Sequence, residues 1–139
     1  MSDIIHPLID SHCHLERFVR DGSLVDVLER ARIAGVGRFI VVGTDVDDWA
    51  LYQGLAENYS GRIDYTVGLH PCHVTSDWLR AVDALGAFFS SKTPPVAIGE
   101  IGLDYFHLPK DAELAGRLKA QQQKAFELQL EWAKKLNAP

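Results

Sequence analysis

Cysteine is scarce in this sequence, and its two cysteines do not form a CxxC pair. Cys13 and Cys72 stand far apart, so the pattern is neither that of a disulfide scaffold nor that of a cysteine-rich zinc domain. No apolar stretch approaches the roughly 20 residues of a membrane span, and segment 1–7 lacks the basic and apolar regions of a secretion signal. These absences predict a cytoplasmic protein with no disulfide bond and no membrane contact.

Sequence motifs for several common enzyme classes are also absent. The chain has no Walker A segment, no GxGxxG after a strand, no GxSxG elbow and no HExxH helix. These absences remove the usual signs of nucleotide cofactors, serine hydrolases and helix-borne zinc sites. An excess of basic residues is missing too, because the formal net charge is -5. Any contact with nucleic acid would therefore depend on a local site rather than on global attraction.

Apolar residues alternate between strand-like and helix-like spacing along all 139 residues. The composition, 47% hydrophobic and 24% charged, is typical of a globular domain. Apolar runs predict strands at 8–10, 38–42, 63–69 and 96–101, and helical spacing predicts helices at 24–34, 46–59, 76–90 and 112–136. Strict alternation predicts an α/β fold with a parallel sheet and right-handed crossovers.

Four strand-helix units fit two architectures. They could form a small open α/β sheet, or the first half of a (β/α)8 barrel, which needs about 250 residues. Periodicity does not choose between these folds. No linker or low-complexity segment interrupts the chain, so residues 1–139 are expected to form a single domain or part of one.

The predicted elements also suggest which side chains are buried. The first strand, at 8–10, is expected to be buried. In the third helix the residues expected to face inward are Trp78, Leu79, Val82, Leu85 and Phe89. Trp49, Trp78 and Trp132 all fall in predicted helices, where core packing is a commoner role than stacking on a nucleobase.

The first cluster of polar residues follows the first strand. Asp10, His12 and His14 stand two apart, so on an extended backbone their side chains project to one face. Two imidazoles there can bind one divalent ion, and Asp10 could orient a ring through its other nitrogen. Two ordinary surface histidines are the alternative. Cys13 has the opposite parity, so it is expected to pack rather than to act as a nucleophile.

A carboxylate ends the fourth predicted strand, in the segment Gly99-Glu100-Ile101-Gly102-Leu103-Asp104-Tyr105. A glutamate at the C-terminal end of a parallel strand points to where ligands bind in open α/β sheets and in barrels. It can also bridge two metal ions about 3.5–4 Å apart. Simple exposure to water is the alternative for Glu100. Its position on a strand end equivalent to that of His12 and His14 favours one shared site.

The third strand ends in another histidine, His70, which precedes Pro71. His70 is expected to line the same mouth, where it could hydrogen-bond a substrate phosphate, bind a metal or only satisfy a buried carbonyl group. His73 and His107 are weaker candidates because they fall in predicted loops. His6 precedes the first strand and is expected at the opposite end of the sheet.

Together these segments resemble the successive signatures of the TatD family of metal-dependent deoxyribonucleases, in the amidohydrolase superfamily. The segments, in chain order, are Asp10-x-His12-x-His14-Leu15, Gly68-Leu69-His70-Pro71 and Gly99-Glu100-Ile101-Gly102-Leu103-Asp104-Tyr105. The last helix is similar to the family segment before the next strand, through Gln122-x3-Phe126-x2-Gln129-Leu130-x2-Ala133-x2-Leu136-x2-Pro139. The histidine pair is shared across the superfamily, whereas GEIGLDY in register with the other segments is highly specific.

The resemblance implies a TIM-type barrel that hydrolyses DNA phosphodiesters with metal-activated water, commonly as a 3′-exonuclease. His12 and His14 would bind one of two divalent ions, Glu100 would bridge both, and His70 would lie near the substrate phosphate. Asp10 and Asp104 would support these residues. Imidazole with carboxylate suits zinc, manganese, nickel or iron, whereas magnesium usually avoids histidine.

The resemblance also implies that the chain is the N-terminal half of such a barrel, ending before the fifth strand. The family's two further histidines and its aspartate, the expected general base, would lie beyond Pro139. A half barrel would expose strand edges, so a complementary C-terminal fragment or a second half barrel is an expected partner besides DNA. Two other functions stay open: hydrolysis of a small ester or amide in the same metal site, and an inactive pairing module.

Overall fold

The computed structural model describes residues 7–139, in which four parallel strands alternate with helices, so His6 lies outside the described residues. The strands are β1 (Leu8–Cys13), β2 (Val36–Val41), β3 (Ile63–Val67) and β4 (Ala97–Ile98). The helices are α1 (Glu16–Arg20), α2 (Leu24–Ile33), α3 (Val46–Asn58), α4 (Trp78–Phe89) and α5 (Ala112–Leu136), and a 3-10 turn spans Pro71–His73. Sequence spacing did not predict α1 or the 3-10 turn, because both are too short to show a period.

The four strands lie in chain order, and each is parallel to its neighbour. The sheet curls into a half barrel with helices between the strands, which confirms the predicted (β/α) architecture. Pairing between β1 and β2 shifts in register between Asp10, opposite Phe39, and Cys13, opposite Val41. Three residues of β1 therefore span two residues of β2 just where the histidine pair begins.

Large apolar side chains fill the space between the curled sheet and its helices. The most deeply buried are Val41, Trp49, Tyr52, Tyr65, Val67, Leu69, Val82 and Leu85. All three tryptophans lie in helices, as predicted. Trp49 is fully buried, Trp78 is nearly so, and the half-buried Trp132 packs against Gly86 of α4. Core packing therefore accounts for the tryptophans.

Two predictions about burial are wrong. Leu8 and Ile9 of β1 are 64% and 55% exposed, because β1 is an edge strand that pairs only with β2 among the described strands. Leu79 is 53% exposed. It follows Trp78 by one residue, which turns its side chain about 100° around the helix and away from the buried stripe of α4.

The fourth strand is shorter than the predicted segment 96–101. Val96 is 42% exposed and precedes the strand. The N–H of Gly99 still donates to the carbonyl of Val67 at 2.9 Å, but the N–H of Glu100 turns away to another strand end. On the outer edge of β4, the N–H of Ile98 donates to the carbonyl of Pro139 at 2.9 Å. The residues after α5 therefore lie along the free edge of the sheet.

Side-chain caps begin helices α3 and α5. Asp45 caps α3, where its side chain accepts from the N–H of Val46 and forms a reciprocal capping box with Asp48. Asp111 accepts from the N–H of Leu114 at the start of α5, and left-handed Asn137 ends that helix. Among the described residues, no helix combines the length and the apolar character needed to cross a membrane.

Candidate metal centre

The carboxyl ends of β1, β3 and β4 bring three histidines around one glutamate. Nε2 of His12 lies 3.4 Å, and Nε2 of His14 lies 3.9 Å, from Oε2 of Glu100. On the other side, Nε2 of His70 lies 3.7 Å from Oε1 of the same carboxylate. The two oxygens of Glu100 thus face different histidines.

Only one group of three potential metal-binding side chains forms within residues 7–139. It consists of His12, His14 and Glu100, whose nearest donor atoms all lie within 4.8 Å of one another. Ligands about 2.1 Å from a tetrahedral ion are themselves about 3.4 Å apart, so small movements of these side chains would suffice. The side chains of His12 and Glu100 are 56% and 34% exposed. An ion therefore has open access from solvent.

Backbone contacts between strand ends hold Glu100 in place. Its N–H donates to the carbonyl of Gly43, just after β2, at 2.7 Å. The hydroxyl of Thr66 accepts from the N–H of Gly43 and donates to the carbonyl of Gly99. Gly68 packs directly on the Gly99–Glu100 peptide unit, which is cis. The carboxylate thus extends from a segment that is hydrogen-bonded across three strand ends.

Hydrogen bonding at His70 determines which nitrogen of its neutral ring carries the proton. Nδ1 accepts from the N–H of Cys72 at 3.1 Å, in the first turn after β3. A ring nitrogen that accepts holds no proton, so the neutral ring carries its proton on Nε2. Nε2 is the nitrogen that faces Glu100. In this state His70 can donate a hydrogen bond into the site, and its Nε2 has no lone pair for a metal ion.

The two supporting aspartates contact backbone and thiol groups rather than histidine rings. The carboxylate of Asp10 accepts from the backbone N–H of His12 at 3.1 Å, so it orients the chain and not the ring that the sequence suggested. The carboxylate of Asp104 accepts from Sγ of Cys72 at 3.2 Å and from the N–H of Phe106 at 2.9 Å. The hydrogen bonds from Phe106 and Cys72, and nearby imidazoles, lower the pKa of Asp104.

His73, His107 and Cys13 lie outside the group of donors. His73 is exposed, and its Nδ1–H donates to the carbonyl of Thr44 at 3.0 Å. His107 is exposed in the loop before α5 and stacks edge-on against Phe106. Cys13 packs against the core as predicted, with Sγ 3.6 Å from the carbonyl of Ile40. Neither cysteine is in a disulfide.

A hydrogen bond behind the histidine pair ties α1 to α3. The hydroxyl of the fully buried Tyr52 donates to the carboxylate of Glu16, two residues after His14. Burial alone would raise the pKa of Glu16. The hydrogen bond from Tyr52, with smaller contributions from the backbone and from His14 and Arg20, outweighs burial and lowers that pKa. Burial and then the same hydrogen bond raise the pKa of Tyr52.

Two residues with no predicted role contact the backbone close to the site. Gln122 and Gln129 are polar but buried on α5, at 6% and 0% exposure. They stand seven apart, which places both on one face of the helix. Their position within the apolar stripe was the signal that could have found them, because a buried polar side chain needs a hydrogen-bond partner.

Comparison with known proteins identifies a family. The model of the family described as TatD related DNase matches residues 9–139. Deoxyribonuclease TATDN3 of Homo sapiens is 34% identical over 139 residues, an alignment covering 95% of this chain and 50% of that protein. The 3'-5' ssDNA/RNA exonuclease TatD of Yersinia pseudotuberculosis is 37% identical over 116 residues, covering 81% of this chain and 40% of that protein.

Solved structures include a similar half barrel. The crystal structure of YjjV, a TatD homologue from Escherichia coli K12, matches with a TM-score of 0.79 at 34% sequence identity. The match covers 98% of this chain and 50% of that chain. This chain therefore spans about half the length of the relatives that it matches.

Proposed function

The chain belongs to the TatD related DNase family, and we propose that it carries the first part of a metal centre that hydrolyses phosphodiester bonds in DNA. The observation that supports this proposal is the convergence of His12, His14 and Glu100 within 4.8 Å at one end of the half barrel. Imidazole nitrogen and carboxylate oxygen together suit a transition metal that activates water. The proposal concerns the whole protein, because the chain spans half the length of its relatives.

The donor atoms fit a divalent ion in type and in spacing. His12 and His14 would hold one ion together with Oε2 of Glu100, the oxygen that both imidazoles face. The other oxygen, Oε1, faces His70, so Glu100 would also have an oxygen for holding a second ion. We propose two divalent ions per complete site. Zinc, manganese, nickel or iron suits this donor set better than magnesium, since two of the three donors are imidazoles.

Such ions would supply Lewis acidity and a nucleophilic water at neutral pH. The residues of this chain would hold the ions and orient the substrate. His70 would donate its Nε2–H to a phosphate oxygen, because its Nδ1 is committed to the N–H of Cys72. Asp10 and Asp104 would support the site through the backbone of His12 and through Cys72. No described residue is assigned as general base, which we place beyond Pro139.

Two alternatives follow from particular observations. The same donor set would suit hydrolysis of a small ester or amide, because nothing in it selects DNA. The exposed edge of β1, with Leu8 and Ile9 mostly uncovered, favours association with a complementary C-terminal fragment or with a second half barrel. An inactive pairing module would need only this edge. The cytoplasmic location expected from the sequence stays a prediction.

The test is metal-dependent cleavage of DNA by the whole protein that contains this chain, stripped with a chelator and then reloaded with each divalent ion. Cleavage from the 3′ end of single-stranded DNA is expected with metal, and Glu100→Gln should abolish it. Glu127→Gln is the matched control, because Glu127 lies exposed on α5 and, among the described residues, its carboxylate pairs with Lys124 alone. Retained cleavage in Glu100→Gln would refute the site. Turnover of small esters without DNA cleavage would favour hydrolysis of a small ester or amide. Stoichiometric metal binding without turnover would favour an inactive pairing module.

A further inference from the structure

Two buried glutamines on α5 each make a pair of hydrogen bonds with the backbone of one residue. The amide oxygen of Gln129 accepts from the N–H of Leu69 at 2.7 Å, and its amide nitrogen donates to the carbonyl of Leu69 at 3.2 Å. Gln122 makes the same two contacts with Asp104, both at 2.9 Å. Each glutamine therefore pairs with a peptide backbone as a neighbouring strand would.

The two residues held in this way lie where the strands have ended. β3 ends at Val67 and β4 at Ile98, so the backbone groups of Leu69 and Asp104 have left the sheet ladder. Buried N–H and C=O groups need partners, and unpaired ones are costly. The side-chain amides of Gln129 and Gln122 provide hydrogen-bond partners for the backbones of Leu69 and Asp104, which no described strand pairs with.

Both anchored residues are close in sequence to groups of the candidate metal centre. Leu69 directly precedes His70, whose Nε2 faces Glu100. Asp104 follows Glu100 by four residues, and its carboxylate accepts from Cys72 in the loop of His70. One helix, α5, thus holds both the segment that precedes His70 and the segment that follows Glu100.

We infer that Gln122 and Gln129 are positioning residues that set the placement of Glu100 and of the His70 ring through the backbones of Asp104 and Leu69. This inference rests on the proposed function and adds to it the residues that preorganise the site. Rigid placement matters because ligands that shift by a fraction of an ångström lose metal affinity and catalytic geometry. Neither glutamine has to touch metal or substrate in this role.

The test compares Gln129→Met and Gln122→Met, which keep the side-chain size and remove the paired hydrogen bonds. Amide hydrogen exchange is expected to accelerate about tenfold at Leu69 in the first variant and at Asp104 in the second. Gln129→Met should also change the ¹⁵N chemical shifts of the His70 ring, and Gln122→Met should lower Co²⁺ affinity about tenfold. All measurements are made well below the unfolding temperature of each variant.

Gln123→Leu is the matched control, because Gln123 lies exposed on the same helix and, within residues 7–139, donates only to the hydroxyl of Tyr105. It should leave the Leu69 amide, the His70 ring and Co²⁺ affinity unchanged. If Gln129→Met does not fold, Gln129→Asn keeps the amide but is one methylene shorter, so it loses the paired contact with Leu69 and should shift the same His70 signals.

Unchanged His70 shifts and unchanged Co²⁺ affinity in variants that are merely less stable would overturn the inference in favour of a simple packing role. A wild-type protein that binds no Co²⁺ would refute the proposed metal centre instead. In that case the exchange and ring measurements still decide whether the glutamines position Leu69, His70 and Asp104.

Discussion

A Cβ atom on Gly68 would lie 2.7 Å from the backbone nitrogen of Glu100, so these two residues leave no room for a side chain between them. Real Cβ atoms do not approach a backbone nitrogen so closely, and the obstacle is main chain rather than the end of a flexible side chain. The glycine therefore determines how closely the end of β3 approaches the segment that carries the carboxylate. Its absence of a side chain is a structural requirement of the candidate site.

The first prediction concerns this contact. Gly68→Ala should displace the Glu100 segment, destabilise the fold by about 1–3 kcal/mol, as overpacking does, and weaken metal binding. Gly54→Ala is the control, because nothing lies within 4 Å of a Cβ at that position in α3. Better helix propensity should make that variant more stable by about 0.5–1 kcal/mol. Urea unfolding and metal titration measure both effects, and equal stability in the two variants would contradict the packing argument.

The second prediction separates substrate binding from metal binding. His70→Ala should leave metal affinity within about twofold of wild type while weakening binding of a DNA phosphate about tenfold to a hundredfold, the usual range for a hydrogen bond to a charged group. His73→Ala is the control, because the His73 ring contacts the carbonyl of Thr44 rather than the carboxylate. Separate titrations of each variant with metal and with DNA measure the two affinities. A large loss of metal in His70→Ala would instead make His70 a ligand.

The third prediction concerns the reactivity of Cys72. Burial, and then the hydrogen bond to Asp104 and its negative charge, raise the pKa of the Cys72 thiol above its ordinary value of 9.0. Because only the thiolate reacts, Asp104→Asn should move the pH profile of alkylation to lower pH and accelerate labelling at pH 8.

Cys13 provides the internal reference for this experiment. Burial, and then the charge of Asp10, raise its pKa to about 12, so it should remain unlabelled in both proteins. Mass spectrometry of labelled peptides distinguishes the two thiols. An unchanged profile at Cys72 would show that Asp104 does not hold the thiol proton.

The fourth prediction is a pH dependence of stability. The folded-state pKa of Glu16 lies below its ordinary value of 4.5, so its stabilisation is complete above that ordinary value and is lost as the pH falls through the folded-state pKa. Tyr52→Phe should reduce stability near neutral pH by about 1.5–3 kcal/mol, the range for hydrogen bonds to charged groups. The loss should shrink as the pH falls below 4.5, because the wild-type protein then loses the same contribution.

Tyr59→Phe is the matched control for this prediction. Tyr59 caps the end of α3, and its hydroxyl makes no hydrogen bond within the described part of the chain. Urea unfolding of all three proteins as a function of pH gives the comparison. If the stability curves of wild type and Tyr52→Phe stay parallel below pH 4.5, the bond to Glu16 does not contribute the pH dependence.

The positions of the donors at strand ends followed from the sequence because their causes are local. Side-chain periodicity depends on the backbone geometry of one segment, so four strands and four helices were predictable, and α5 has the predicted bounds. Parallel strands share a direction, so His12, His14, His70 and Glu100 were expected at one end of the sheet. The structure brings these four side chains within reach of one another.

Hydrogen-bond partners were beyond the sequence because they depend on elements far apart in the chain. Gln129 pairs with a residue 60 positions earlier, and Gln122 pairs with one 18 positions earlier. No local pattern specifies such a pair, since both partners must be brought together by folding. The prediction that β1 is buried was wrong for the same reason. Whether Leu8 is covered depends on which elements pack against β1, and not on the residues of its own segment.

The sequence by itself therefore determined the order of the elements, the direction of the strands and the set of candidate metal-binding residues, since each follows from local periodicity and side-chain chemistry. Only the tertiary structure decided how those residues are held. The position of Glu100 and the backbone contacts of the glutamines on α5 arise between segments that meet only when the half barrel folds around its core.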